Sequence, residues 1–138
     1  MKNFLTFLLI TVLISGCSVA PSKIEYGKDT CSFCDMTIVD KTHAAEFVTK
    51  KGRAYKFDAV ECLINDLKEK DENDMAYILV TDFSNPTILI NAKEATYLVS
   101  EALKSPMGAN LSAFKIKEDI QHMGDLYNWK RIKDHIRK

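Results

Sequence analysis

Short runs of apolar residues, broken by turn-forming residues, dominate the chain from about position 44 onward. Ala44-Ala45-Glu46-Phe47-Val48-Thr49 has the β-branched and aromatic content of a strand. Lys50-Lys51-Gly52 is a turn signal, and Arg53-Ala54-Tyr55-Lys56-Phe57 alternates polar with apolar, so the pair predicts a β-hairpin. Asp58 then offers a helix N-cap with Glu61 as its capping-box partner. From Ala59 to about Lys70, Val60, Leu63, Ile64 and Leu67 share one helical face. Asp71-Glu72-Asn73-Asp74 is a polar connector, and the nearly continuous apolar run of Met75–Thr81 predicts a central strand.

The second half echoes the first. Asn85-Pro86 breaks the chain before a short strand over Thr87–Ile90. Ala95-Thr96-Tyr97-Leu98-Val99-Ser100 repeats the order of Ala44–Thr49: a small residue, an aromatic, valine, a hydroxyl residue. Ser112–Ile116 resembles the strand that ends at Phe57. The spacing of Ile120, Met123, Tyr127, Ile132 and Ile136 predicts a long helix over Lys117–Ile136, with Tyr127 and Trp129 as packing residues. The pattern predicts an α+β fold of two related β-β-α units, with antiparallel sheets packed against helices. The halves run over about 31–83 and 84–138.

The first sixteen residues change that picture little, because they read as a signal. Lys2 supplies a positive start, and Phe4–Ile14 is apolar apart from Thr6 and Thr11. That run is about eleven residues, short of the roughly twenty that span a bilayer. It ends in Leu13-Ile14-Ser15-Gly16-Cys17, which resembles the lipobox of bacterial lipoproteins. The expectation is a signal peptide over 1–16, acylation of Cys17 (palmitate among the chains), and a lipidated tether over 17–30. More than one acyl chain gives stable anchoring, so the protein is expected outside the cytoplasm, on the periplasmic face of the outer or inner membrane. Loss of Lys2 takes the formal charge from zero to about minus one, which argues against nucleic acid as a partner. Lys130, Arg131, Lys133, Arg137 and Lys138 crowd the end of the chain as a solvated helix terminus would.

Candidate chemistry sits at Cys31-Ser32-Phe33-Cys34-Asp35-Met36. Thiolate and thioether are the soft ligands that select Cu(I). The β-branched Thr37-Ile38-Val39 that follow predict a strand, so the sulfurs belong on the loop feeding it. With Cys17 lipidated, Cys31, Cys34 and Cys62 remain, and three thiols cannot all pair within one chain. Either Cys31 and Cys34 form a disulfide or some thiols serve a metal. Met107, in the Pro106-Met107-Gly108 turn, is a loop anchor or a further soft ligand. His43 is a surface residue or a weaker ligand candidate, and Cys62, between Val60 and Leu63, reads as a buried inert thiol. The rival is a membrane-anchored thiol-disulfide oxidoreductase using Cys31 and Cys34, although such sites place the pair at a helix N-terminus. Structural zinc ordinarily takes four ligands, often as two pairs. Haem attachment would need a histidine where Asp35 stands.

Together the lipobox, the Cys31-x-x-Cys34-x-Met36 motif, the Ile-Val-Asp and Ala-Ala-Glu segments after it and the Pro106-Met107-Gly108 turn resemble the NosL-type nitrous oxide reductase accessory lipoproteins. The resemblance covers nearly the whole chain beyond the signal. It implies an extracytoplasmic copper chaperone, not an enzyme, that binds Cu(I) and serves nitrous oxide reductase or its assembly machinery. It implies two β-β-α-β-like units, with Cys34, Met36 and Met107 as copper ligands and Cys31 as a contributor. Many members carry glycine before the motif methionine, where this chain has Asp35.

Overall fold

The computed structural model describes residues 18–138 except Asp119, so the signal segment and Cys17 lie outside the described residues. The predicted hairpin is present as β1 (Ala45–Thr49) and β2 (Ala54–Phe57), antiparallel, with Phe47 opposite Tyr55. Gly52 turns it with φ +84°, a value for which glycine carries no Cβ penalty. Helix α1 (Val60–Asp66) follows and tightens into a 3₁₀ turn over Leu67–Glu69, so the regular helix is shorter than its apolar spacing predicts. A second 3₁₀ turn, Glu72–Asp74, leads into β3 (Met75–Thr81). β4 (Leu89–Asn91) pairs with β3 and completes an antiparallel sheet in the order β2-β1-β3-β4. The apolar run of β3 therefore lies inside the sheet, as predicted.

A second antiparallel sheet, β6-β5-β7, is built from β5 (Thr96–Val99), β6 (Leu111–Phe114) and β7 (Leu126–Tyr127), and helix α2 (Trp129–Ile136) closes the chain. The α+β class and the two sheet units stand, but the second unit runs strand, strand, strand, helix. The predicted long helix over Lys117–Ile136 is replaced by a loop, β7 and an eight-residue helix. Gly124, at φ +151°, breaks the helical path, and a Cβ there would come within 3.2 Å of Leu98 Cδ1. Tyr127 then pairs with Tyr97 as a strand residue. Asn128 starts α2 by accepting a hydrogen bond from Arg131 N at 2.9 Å. β4, taken from the sequence as part of the second half, belongs to the first sheet.

Most of the large buried side chains form one core spanning both units. Phe47, Phe57, Val60, Leu63, Ile64, Val80, Tyr97, Leu111, Trp129 and Ile132 all belong to it. β1 is buried on both faces, and its Glu46 is fully enclosed. Ser22 covers that carboxylate, its N–H and its hydroxyl each donating to Glu46 Oε1 at 2.9 Å. Ile24 enters the core nearby. The segment read as a tether is thus packed against the sheet from Ser22 onward. Among the described residues no helix is long and apolar enough to cross a membrane.

Candidate metal centre

The sulfur motif forms the tip of a small irregular hairpin. Its legs are held by Gly27 N–H to Ile38 O at 2.8 Å, Ile38 N–H to Asp29 O at 2.9 Å and an isolated bridge between Thr30 and Thr37. The strand predicted for Thr37-Ile38-Val39 reduces to that one bridge, because its partner leg is a turn-rich segment too short to extend the ladder. Ile38 alone is driven into the core, at 0% exposure. At the tip, Cys31 N–H donates to Met36 O at 2.8 Å and Asp35 N–H donates to Cys31 O at 3.1 Å. Asp35 takes φ +62° to close this turn. Ser32 N–H donates to Lys56 O at 2.8 Å, which ties the tip to β2, and Lys56 Nζ reaches back to Asp29 Oδ2 at 2.6 Å.

The tip lies over the start of α1. There the Sγ atoms of Cys31, Cys34 and Cys62 and a carboxylate oxygen of Asp58 all fall within 4.8 Å of one another. The Cys34 thiol donates to Asp58 Oδ1 at 3.5 Å, and the other oxygen, Oδ2, is buried without a partner among the described residues. Cys31 and Cys62 are buried, Cys34 is half-buried, and all three are free thiols. The disulfide reading of Cys31 and Cys34 is therefore not the form seen. Asp58 and Glu61 do not make the predicted capping box: Ala59 is the N-cap residue and bears no side-chain cap bond. Both carboxylates are buried and committed elsewhere, Asp58 to Cys34 and Glu61 to Ser105.

The three thiols are electrostatically distinct. Cys31 is held down to about 6, chiefly because the Cys62 thiol donates to it; burial opposes this, and the backbone N–H groups of Cys34, Asp58 and Phe33 reinforce it. Cys62, having given its hydrogen to Cys31, is pushed far up, with burial and the neighbouring Asp58 adding to the effect. Cys34 is raised, first by burial. The cluster thus sets one lowered thiol, Cys31, cradled by amide N–H groups, beside two raised ones. An attacking thiolate in disulfide exchange must be both ionised and accessible. Here the lowered thiol, Cys31, is buried, and the more accessible Cys34 is raised.

Met36 is 52% and Met107 40% exposed, outside the buried cluster. Met107 is nonetheless fixed near α1 through its turn. Ser105 Oγ donates to Glu61 Oε1, next to Cys62, and accepts from Asn110 N at 2.9 Å. Gly108, at φ +81°, returns its N–H to Ser105 O at 3.1 Å. Burial raises the Glu61 carboxyl above its ordinary range, with the Ser105 bond acting against it. His43 is not the surface residue expected: at 3% exposure it is locked by Asp40 Oδ2 at 3.0 Å and Ser112 Oγ at 3.1 Å. Its ring is thereby used as a structural tie. Sequence reasoning placed Cys62 as inert and did not consider Asp58 beyond capping. The available signal was the odd thiol left over once Cys31 and Cys34 were paired, together with its i, i+4 spacing from Asp58.

The family model described as NosL matches residues 22–136. Among curated proteins nothing matches. A solved structure, the copper chaperone NosL from Shewanella denitrificans, has a similar fold with a TM-score of 0.68 at 23% identity, over 82% of this chain and 95% of that one. The family-model match over residues 22–136, which takes in the sulfur motif, α1 and both sheets, makes this chain a member of the NosL family.

Proposed function

We propose that this chain is an extracytoplasmic chaperone that binds Cu(I) as cargo and passes it on by ligand exchange. The observation that carries this reading is the convergence of three free sulfurs at one half-buried spot, opened to solvent on the side of Cys34. Membership of the NosL family and the copper chaperone among its solved structural relatives support it. Cu(I) is d10 and takes two or three soft ligands without strict geometry, so a set of thiolates and thioethers holds it while leaving room for an acceptor's ligand. Cys34 serves as the accessible thiolate donor once its proton leaves, with Cys31 beside it. Met36 and Met107, exposed and uncharged at any pH, supply thioether sulfur at the rim.

The acceptor in this reading is nitrous oxide reductase or its assembly machinery, and the protein is a lipoprotein held at the membrane through Cys17. The support for the anchor is the lipobox-like Leu13-Ile14-Ser15-Gly16-Cys17 sequence.

An anaerobic Cu(I) titration of the purified protein against a Cu(I) chelator tests the reading. The wild type should compete well, Cys34→Ser should weaken binding by about tenfold, or ~1.4 kcal/mol, and Met36→Leu and Met107→Leu should slow transfer of copper to the chelator. A wild type that holds no Cu(I), but cycles Cys31 and Cys34 through a disulfide while reducing a test substrate, would replace the chaperone with an oxidoreductase. Labelled palmitate should enter the wild type and not Cys17→Ser; equal labelling of both removes the anchor.

A further inference from the structure

Three thiols meet at the tip of the first hairpin, yet the motif that marks the site in the sequence contains only two of them. The third comes from another element. Cys62 is fully buried in the first turn of α1. A cysteine acting only as a small hydrophobe needs no sulfur neighbours. This one has both motif sulfurs and Asp58 within 4.8 Å of its own. Asp58 is itself 2% exposed, with one oxygen unpartnered among the described residues. A buried carboxylate facing three thiols is a polar lining that a cysteine packed only as a small hydrophobe does not require.

We propose that Cys62 is the third thiolate of a buried seat for Cu(I), formed with Cys31 and Cys34. This rests on the copper reading above and deepens it. Sulfur atoms bound to one metal at about 2.3 Å lie a little under 4 Å apart when spread around it. The cluster, bounded at 4.8 Å, needs only a small contraction to reach that arrangement. On binding, Cu(I) keeps its oxidation state. It forms three copper–sulfur bonds, and whatever protons Cys34 and Cys62 still carry pass to solvent. Asp58, a hard oxygen donor, is a poor match for Cu(I); it positions Cys34 by accepting its hydrogen before the metal arrives. Cys34 then belongs to both environments, the buried thiols beneath it and the exposed thioethers at the rim. Copper held on Cys31 and Cys62 is shielded from solvent oxidants, whereas an acceptor reaches it through Cys34.

The decisive measurement counts sulfur around copper by X-ray absorption in the full chain carrying Cys17→Ser, Met36→Leu and Met107→Leu. That chain keeps only the three thiols in question, and the two methionines replaced are exposed, so the fold is left intact. Three sulfur neighbours support the seat. Two overturn it, as does loss of Cu(I) binding from this chain while the wild type still binds, which would make the thioethers indispensable. Failure of the wild type itself to bind Cu(I) takes down the copper reading and is told apart by that control.

Affinity gives a second, independent readout. Cys62→Val, which keeps an apolar side chain of similar size, should weaken Cu(I) by about tenfold or more. Ile120→Val, a buried change in the separate cluster formed with Leu98 and Phe114, should leave Cu(I) affinity at the wild-type value. Equal affinity in Cys62→Val and wild type, or equal losses in both variants, overturns the proposal.

Discussion

Asp35 sits at φ +62°, a backbone conformation that costs most side chains and glycine nothing, and Asp is among the few that tolerate it. The position sets the turn that brings Cys34 back over Cys31. Glycine would adopt this conformation without a Cβ penalty. Asp35→Gly should change the stability of the metal-free protein by less than about 1 kcal/mol. Asp35→Val, β-branched and unsuited to this region, should cost about 1–3 kcal/mol. Urea unfolding of the three proteins checks this; a valine variant as stable as wild type would mean the turn is not held in the left-handed form. At this scale the motif was legible in the sequence because its signal is chemical: two thiols and a thioether within six residues. Cys62 was not, because a thiol amid Val60, Leu63 and Ile64 looks the same whether it packs or binds. Only its neighbours distinguish the two.

Elements are joined by a few polar ties that spacing alone does not reveal. Glu72, in the 3₁₀ turn before β3, accepts from Lys133 Nζ and from Trp129 Nε1 at 3.2 Å, fastening α2 to the first unit. Burial of Glu72 works to raise its carboxyl, but the bonds to Lys133 and Trp129 and the nearby charge of Lys93 outweigh it, and the net shift is downward. A depressed acid stabilises the fold above its ordinary value of 4.5 and loses that contribution as pH falls through its lower folded value. Glu72→Gln should therefore be less stable than wild type by about 1–3 kcal/mol at neutral pH. The gap should close as the solution is acidified below the ordinary carboxyl range. Chemical denaturation at several pH values measures it, and a gap constant with pH would assign the loss to shape alone. The long helix expected over Lys117–Ile136 fails at this same scale. Apolar residues at 120, 123 and 127 matched a helical period by coincidence, whereas Gly124 against Leu98 and the cap at Asn128 set the actual boundaries.

The two sheet units share one core and several buried polar links. His43 bridges Asp40 to Ser112, Ser105 meets Glu61, and Phe83 N–H donates to Ala113 O at 2.8 Å. Breaking the units apart would strand these groups in an apolar setting, at about 1–3 kcal/mol each, so the domain should unfold as one cooperative unit. The single tryptophan, Trp129, lies in the second unit and Cys62 in the first. Trp129 fluorescence and the reactivity of Cys62 in a Cys31→Ser/Cys34→Ser background should report the same denaturant midpoint. Separate midpoints would show independently folding halves. The sequence by itself determined the α+β class, the first hairpin, the interior strand Met75–Thr81 and the sulfur motif, because these depend on local period and on side-chain chemistry. The tertiary structure alone decided that β4 joins the first sheet, that the segment from Ser22 covers Glu46, that His43 is buried, and that Cys62 and Asp58 stand beside the motif. The β3–β4 pairing apart, these include contacts between residues 24 to 69 positions apart along the chain. Such contacts follow from how the whole core closes and leave no periodic trace in any one segment.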